Sequence, residues 1–348
     1  MATAPAFPEI GKARPRAESR RLIAGRGNYT GDLSRPGQLH ACFLRSPHGH
    51  ADIMAVDTAR AAAAPGVAAV LLWADLAAVC KPWQTVSKAF AGLQSPMQYP
   101  LTNGRAAYQG EPLAMVLADS RARAEDAAEL IDVTFEPRPA MADYTRGLEP
   151  DAPLVHPDLE SNLAWSTDIT AGDVEAAFAD AALIVEDELT FTRHTGVPLE
   201  PRTVLADFDA ASGTLEVRLS HQMPHQMQLH LADLLDLPMA RVRVIVPDVG
   251  GGFGIKMHVY PDEIAVCAAA RLLGRPVAFT ADRIESMAAD IHAREHVVHG
   301  RMAVDAAGRI TAFDIRDLHG IGAHSVYPRS STMETVMALR PIGAAYGF

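Results

Sequence analysis

The sequence predicts a mixed fold of two domains, an α/β domain followed by a domain of α+β type. With 348 residues and 49% hydrophobic side chains, the chain is long enough and apolar enough to build a core in each domain. Over the first 145 residues, strand-like and helix-like segments alternate along the chain. Beyond that point, two segments with hairpin spacing flank a group of helices, which is typical of α+β architecture.

The first domain is predicted over residues 21–145, after an N-terminal extension at 1–20. A helix at 121–130 places alanines and acidic residues at helical spacing, and Pro65 with Gly66 ends a shorter Ala-rich helix. Apolar or strand-like runs occur at 38–45, 67–73, 112–118 and 131–136. This alternation indicates an α/β domain.

A proline-rich linker at 146–160 leads into the second domain, which is predicted over 161–348. A helix at 261–273 is marked at both ends, because Pro261 and two acids open it and Gly274 follows it. The other predicted elements are a short helix ending at 182, a strand at 183–192, a hairpin at 203–220, a helix at 224–236, a strand at 242–246 and a hairpin at 297–318.

Charge and composition exclude several classes of function. The net charge of -11 and the pI near 5.7 argue against a nucleic-acid partner, because phosphates are bound largely through clustered Lys and Arg. The apolar runs are too short to cross a bilayer as helices, and no export signal follows the basic N-terminus. Three scattered cysteines, Cys42, Cys80 and Cys267, form neither a disulfide framework nor a cluster site. We therefore expect a cytoplasmic protein without membrane insertion.

The most informative segment is the glycine-rich stretch from Val246 to Lys256, which follows a predicted apolar strand. Adjacent glycines at 250–252, followed by Phe253 and Gly254, leave backbone N–H groups free to approach an anionic or carbonyl-rich ligand. The spacing fits neither the dinucleotide fingerprint nor the nucleotide P-loop. From this segment alone, a cofactor cradle and a glycine-rich turn that closes a β-bulge remain equally open.

Six phrases along the chain provide the context that this segment lacks. They are Arg26-Gly-Asn-Tyr-Thr-Gly-Asp32, Leu44-Arg-Ser-Pro-His48, Gly110-Glu-Pro112, Leu199-Glu-Pro-Arg202, Ser220-His-Gln-Met-Pro-His225 and Gly250-Gly-Gly-Phe-Gly254. In that order they resemble the large subunit of the xanthine dehydrogenase and aldehyde oxidase family, which includes carbon monoxide dehydrogenases and isoquinoline-type oxidoreductases. The resemblance covers nearly the whole chain from about Arg20 onward.

The resemblance implies a hammerhead domain up to about residue 145, followed by the first of two molybdopterin-binding domains. Gln222 matches the family glutamine that hydrogen-bonds the oxo group of molybdenum, as an amide outside the metal's own ligands would. The loop that packs beside the metal and the pterin matches Gly251, Gly252, Phe253 and Gly254. The implied cofactor is a molybdenum–molybdopterin, in its cytosine dinucleotide form.

Two positions in the loop depart from the purine-oxidising members of the family. This chain has Ile255 where those enzymes have glycine, and Met257 where they place a substrate-binding glutamate. Met257 would face the substrate pocket. The resemblance therefore implies a molybdenum hydroxylase that oxidises an N-heteroaromatic or aldehyde substrate, with water as the oxygen source.

The catalytic base of this family is a glutamate near the C-terminal end of the large subunit, and this sequence stops at Phe348. We expect no catalytic residue in this chain, and a second molybdopterin-domain chain that supplies the base. The resemblance also implies an iron–sulfur subunit with 2Fe-2S clusters and an FAD subunit. Glu200 is interpreted as a structural acid, paired with Arg202 or with backbone.

Two other functions remain open at this stage. His292, Glu295 and His296 match a zinc-peptidase pattern and would make the chain a hydrolase, provided that a helix places both histidines on one face. His221, His225 and His230 form a second group of histidines, which we interpret as surface or capping residues. The other alternative is a non-catalytic scaffold that has kept the fold without the cofactor.

Overall fold

The structure, a computed structural model, describes residues 10–340 and 342. The predicted extension at 1–20 therefore falls partly outside the described residues, and the segment 343–348 does so entirely. The strands are β1 (Leu39–Arg45), β2 (Ala51–Asp57), β3 (Val67–Leu71), β4 (Trp83–Gln84), β5 (Met97–Gln98), β6 (Arg105–Ala106), β7 (Pro112–Ala118), β8 (Asp132–Pro137), β9 (Leu183–Phe191), β10 (Thr203–Asp209), β11 (Thr214–Leu219), β12 (Val242–Ile245), β13 (Val277–Thr280), β14 (His296–Val304) and β15 (Ile310–His319). The helices are α1 (Ser19–Ile23), α2 (Ala59–Ala62), α3 (Trp73–Leu76), α4 (Arg121–Ala128), α5 (Val174–Ala179), α6 (Pro224–Leu234), α7 (Pro261–Leu273), α8 (Arg283–Ala289) and α9 (Met333–Leu339).

A seven-stranded mixed sheet in the order β12-β11-β10-β13-β1-β7-β3 forms the centre of the molecule. Strand β7 is buried along its whole length, and its side chains alternate between two cores. Met115 and Leu117 join the core that contains α6 and α7, whereas Val116 joins the core that contains Ala124 and Ala127 of α4. Helices therefore pack on both faces of the sheet, with α6 and α7 on one face and α4 on the other over β1, β3 and β7.

This sheet takes strands from both sides of the domain boundary predicted near residue 145. Strands β1, β3 and β7 precede that position, whereas β10 to β13 follow it, and β1 pairs in parallel with β13. The register joins Leu39 to Val277, and Leu39 N–H donates to the carbonyl of Pro276 at 2.8 Å. The division into domains at 21–145 and 161–348 stays a prediction.

Strands β4 and β5 form a two-stranded antiparallel sheet, and two three-stranded antiparallel sheets accompany the large one. One has the order β6-β2-β8, and the other has the order β15-β14-β9. Every residue of β9 is exposed, including Leu183, Val185, Leu189 and Phe191. These four apolar side chains lie on one face of the strand, because alternate residues of a strand share a face. No helix among the described residues has the length and apolar character needed to span a membrane.

Candidate functional site

The glycine-rich stretch at 246–256, which we call the glycine loop, follows β12 at the edge of the large sheet and leads towards α7. Its backbone follows a tight path, in which Gly251 has a φ of 104°, Phe253 a φ of 51° and Gly254 a φ of 89°. The backbone of Phe253 is thus left-handed, a conformation that residues other than glycine rarely adopt and that costs about 1–3 kcal/mol. Such strain persists only where the surrounding structure holds the backbone in place.

Two glycines of the loop lie where any side chain would collide with a neighbour. A Cβ atom at Gly252 would lie 2.6 Å from the Cδ atom of Gln222, and one at Gly250 would lie 2.5 Å from the Cβ atom of Glu200. Because both distances are well below van der Waals contact, the loop backbone packs directly on these two side chains. The structure therefore accounts for glycine at these two positions by their contact with Gln222 and Glu200, and the close approach to a ligand stays a prediction.

Gln222 and the loop hold each other through two hydrogen bonds. The Gln222 backbone N–H donates to the carbonyl of Lys256 at 2.6 Å, and the Gly254 N–H donates to Oε1 of Gln222 at 3.1 Å. The donor at Gly254 identifies the side-chain atom facing it as the oxygen. None of the described residues accepts a hydrogen bond from the NH2 group of this exposed carboxamide.

Glu200 binds the loop and does not pair with Arg202. Its Oε2 atom accepts from Ser220 Oγ at 2.6 Å, from Gly250 N at 2.7 Å and from Lys256 Nζ at 2.9 Å. The expected pairing with backbone is confirmed by the contact with Gly250, but the alternative pairing with Arg202 is wrong. No sequence pattern indicates Lys256 as the partner of Glu200, because 56 residues separate the two.

Arg202 is instead the centre of a cluster of buried charged side chains. It is 1% exposed and binds Asp262 through Nη1 and Nη2 at 2.6 and 2.8 Å, and Asp290 through Nε at 2.6 Å. Its guanidinium also lies over the ring of Tyr260, 3.7 Å from the centroid. Burial alone would raise the pKa of Asp262, but the guanidinium of Arg202 holds that pKa below its ordinary value.

The phrases at 44–48 and 110–112 join this cluster. Arg45 Nη2 donates to Asp262 at 2.9 Å and Arg45 Nη1 donates to the carbonyl of Gly110 at 3.2 Å. The N–H of Gly110 donates to the carbonyl of Ser46 at 2.9 Å. Since Asp262 contacts both Arg45 and Arg202, the two sets of phrases are linked by one carboxylate.

The phrase at 26–32 reaches the start of the glycine loop through Asp248. The carboxylate of Asp248 accepts from Arg21 at 2.5 and 2.6 Å and from the N–H of Asn28 at 2.7 Å. The hydrogen bonds from Arg21 lower the pKa of Asp248 to about 2. The structure thus brings together phrases that lie more than 200 residues apart.

Phe253 and Met257 lie on the solvent side of this loop. Phe253 is 74% exposed, and Met257 is half-buried with its sulfur 3.9 Å from Arg329 Nη1. Arg329 also contacts the sulfur of Met223 at 3.2 Å, and none of the six phrases pointed to it. One depression in the described surface lies beside His156, and another lies beside Gln228 and is bordered by His225 and by Val246, the first residue of the glycine-rich stretch.

The residues of the zinc-peptidase pattern do not lie on the single helix that this motif requires. His292 and Glu295 lie in irregular backbone and His296 begins strand β14, so no helix places the two histidines on one face. Glu295 is bound by Arg193. The structure contradicts the alternative of a zinc hydrolase site, because its residues share no helical turn.

His296 instead lies close to His319 and Glu334, with possible ligand atoms within 4.8 Å of one another. The two imidazole rings are stacked at 4.0 Å with an angle of 7° between their planes, so their in-plane lone pairs run parallel and do not converge on one point. Glu334 is also paired with Arg294 at 3.1 Å. This arrangement does not form a chelating site.

The histidines near Gln222 have separate structural partners. His221 is buried, its Nδ1 accepts from the N–H of Met223 at 3.0 Å, and its Nε2 lies 3.1 Å from the carbonyl of His258. Burial lowers the pKa of His221 and keeps it neutral. His230 contacts the hydroxyl of Tyr327 at 3.1 Å. They do not form a common metal site.

Comparison with known proteins matches both halves of the chain to family models. Residues 155–347 match the molybdopterin cofactor-binding domain, and residues 24–139 match the aldehyde oxidase and xanthine dehydrogenase a/b hammerhead domain. Among solved structures, the quinoline 2-oxidoreductase of Pseudomonas putida 86 has a TM-score of 0.90 and 35% identity over 94% of this chain and 42% of that chain.

Curated relatives match across the same span. The nicotine 6-hydroxylase large subunit of Paenarthrobacter nicotinovorans is 36% identical over 336 residues, which are 96% of this chain and 41% of the relative. The carbon monoxide dehydrogenase large chain of Afipia carboxidovorans is 33% identical over 328 residues, covering 90% and 40%. The nicotinate dehydrogenase large molybdopterin subunit of Eubacterium barkeri is 29% identical, covering 95% and 75%. The chain spans about two fifths of the length of the first two relatives.

Proposed function

The chain belongs to the aldehyde oxidase and xanthine dehydrogenase family, and from this premise we propose that it is the molybdopterin-binding part of a molybdenum hydroxylase. Such an enzyme oxidises an N-heteroaromatic or aldehyde substrate with water as the oxygen source. When bound, the molybdenum–molybdopterin cofactor would supply the redox chemistry. The residues of this chain would bind and orient it.

The packing of the loop on Gln222 is the observation that carries this proposal. Gly252 leaves no room for a Cβ atom beside the Gln222 carboxamide, and the carboxamide oxygen is already bonded to Gly254. The NH2 group therefore has a fixed direction and is available to donate a hydrogen bond. An acceptor such as the oxo group of a molybdenum cofactor fits this donor, while the glycine backbone permits close approach of the pterin.

Phe253 and Met257 would contribute to the site through their side chains. Phe253, which is 74% exposed, would exclude water once the cofactor and a second domain cover it. Met257 would line the substrate pocket without offering a charge. An apolar side chain at this position suits a flat heteroaromatic ring better than a polar purine, and relatives named for nicotine and quinoline support an N-heteroaromatic substrate.

We propose that none of the described residues of this chain acts as the catalytic base. Glu200 is fully engaged through Oε2, its Oε1 is buried, and Glu263 is 1% exposed. The base and the other wall of the pocket would come from a second molybdopterin-binding domain, on a partner chain. The exposed apolar face of β9, with Leu189 and Phe191, supports such a contact.

Electron transfer would need further subunits. Cys80 and Cys267 are buried, and burial raises the pKa of Cys42 and of Cys80 to about 12, so these thiols are poor ligands for a cluster. The 2Fe-2S clusters would therefore lie on an iron–sulfur subunit, and FAD on another subunit. The cytosine dinucleotide form of the cofactor and a cytoplasmic location belong to the same proposal.

The test is a glycine-to-alanine pair in the full chain, purified with the subunits that accompany it. Gly252→Ala should lose most of its molybdenum and pterin, because the added Cβ lies 2.6 Å from Gln222. Gly300→Ala in strand β14 is the matched control, since a Cβ atom there meets nothing within 4 Å. If Gly252→Ala assembled with full molybdenum and pterin content, the assignment of the loop as the cofactor cradle would be wrong.

A further inference from the structure

We propose that Glu200 and Lys256 form a positioning pair that closes the glycine loop at both of its ends and thereby sets the orientation of Gln222. The inference rests on the proposed function, because it assumes that this loop and Gln222 receive the cofactor. Neither residue would touch the substrate or act as a base. Their role would be to hold the strained loop backbone in the one shape that leaves the Gln222 amide correctly placed.

A single carboxylate oxygen joins three separate parts of the chain. Oε2 of Glu200 accepts from Ser220 at the end of β11, from the N–H of Gly250 at the start of the loop and from Lys256 at its end. The N–H of Glu200 also donates to the carbonyl of Gly250 at 3.1 Å. Gly250 is thus held by both of its backbone groups, and the same side chain reaches across the loop to Lys256.

The far end of the loop is fixed by the same lysine. The Lys256 side chain is 0% exposed, and a buried lysine is rare unless it is paired. Its carbonyl accepts from the N–H of Gln222 at 2.6 Å, and Oε1 of Gln222 returns to Gly254 at 3.1 Å. The contacts therefore form a closed ring that runs from Glu200 through the loop and Gln222 back to Lys256.

This ring accounts for the strain that the loop contains. Phe253 has a φ of 51°, and such a conformation relaxes unless neighbouring contacts oppose it. An apolar pair could fill the same volume, but it could accept no hydrogen bond from Gly250. Buried ion pairs often contribute little to net stability, whereas removal of one partner leaves the other charge uncompensated. A role in fixing geometry explains why charges occupy this place.

The charge balance at Glu200 makes the pair sensitive to single substitutions. Its Oε1 atom is buried and has no hydrogen-bond partner among the described residues, so Lys256 is the main compensation for the carboxylate. Burial lowers the pKa of Lys256, and the hydrogen bond to Glu200 opposes that shift. Loss of either partner should therefore release the loop, whereas loss of both charges together should be tolerated.

The test compares Glu200→Gln, Lys256→Met and the double variant in the full chain with its co-purifying subunits. Amide hydrogen exchange of peptides covering 250–256 reports the loop, and molybdenum and pterin content reports the site. Hydrogen bonds to charged groups suggest that exchange of these peptides should rise by about 10- to 100-fold in each single variant. The double variant should exchange more slowly than either single variant and should recover cofactor content.

Glu285→Gln is the matched control. Glu285 forms an ion pair with Arg45 at 3.0 Å, with its side chain 19% exposed compared with 14% for Glu200, and it does not contact the loop. It should leave the exchange of 250–256 unchanged. The positioning role is overturned if peptides covering 250–256 exchange at the wild-type rate in the single variants. It is also overturned if Glu285→Gln raises their exchange rate as much as the single variants do.

The two proposals can fail separately in this experiment. If the loop exchanges faster in the single variants while molybdenum and pterin stay at the wild-type level, the pair holds the loop but does not set the binding of the cofactor. That outcome overturns the positioning role, and the cradle assignment is decided by Gly252→Ala alone. If the loop is unchanged but Gly252→Ala still loses its cofactor, only the inference about Glu200 and Lys256 is overturned.

Discussion

Replacement of Glu263 by glutamine should change how the stability of the chain depends on pH. Glu263 lies in α7 and is 1% exposed, its Oε2 has no hydrogen-bond partner among the described residues, and its Oε1 is 3.4 Å from Arg202 Nη1. Burial raises the pKa of Glu263 to about 8, although the positive charge of Arg202 opposes the shift. The carboxyl group is therefore mostly protonated in the folded chain at neutral pH.

The sign of the effect follows from the difference between the folded and unfolded states. The unfolded carboxyl has an ordinary pKa of 4.5, so the stabilisation is fully present below that pH and is lost as the pH rises towards 8. Each pH unit in that window removes about 1.4 kcal/mol. From pH 5.5 to pH 8, the wild-type chain should therefore lose roughly 3 kcal/mol through this group.

Urea unfolding of the wild type and of Glu263→Gln across that pH range measures this loss. Glutamine does not titrate, so the difference in unfolding free energy between the two chains isolates the carboxyl group. As the pH rises from 5.5 to 8, the free energy of unfolding of the variant should increase by roughly 3 kcal/mol relative to that of the wild type. A difference that stays constant with pH would show that Glu263 is ionised in the folded state, and the burial argument would be refuted.

Three further predictions concern other parts of the site. His292→Ala combined with His296→Ala should leave molybdenum content and activity unchanged, and the loss of stoichiometric zinc on elemental analysis would contradict this. Met257→Glu should shift substrate preference from apolar N-heterocycles towards purines, seen as a change in the ratio of kcat/KM values; an unchanged ratio would remove Met257 from the pocket. Asp248→Asn should break the ion pair with Arg21 and speed tryptic cleavage at Arg26, whereas cleavage at the wild-type rate would show that the pair does not hold this segment.

Local signals were enough to predict several elements of the fold. The helix predicted at 261–273 is confirmed at both ends, because Pro261 and the left-handed Gly274, with a φ of 60°, act within the helix itself. The helix predicted at 224–236 ends earlier, at Leu234, because Asp236 adopts a φ of 49°. Strand β13 escaped prediction, since its four residues become a strand only by pairing with Leu39 and with β10.

The candidate site shows the same division between local and distant effects. The glycine loop and Gln222 were found through the resemblance, but their contact is visible only in the folded chain. The sequence suggests Arg202 as one possible partner of Glu200, beside the backbone, because both lie in one phrase two residues apart. In the structure Arg202 binds Asp262 and Asp290, which lie 60 and 88 residues away. No pattern in a single sequence reveals that these distant carboxylates, and not Glu200, bind the guanidinium.

Elemental and pterin analysis of the wild-type chain, purified with the subunits that accompany it, tests the central claim most directly. The glycine loop, the free amide of Gln222 and the family models together predict molybdenum equimolar with this chain, a pterin in the same amount, and iron on a co-purifying subunit. Stoichiometric zinc without molybdenum, or an assembled complex with neither metal nor pterin, would contradict the account.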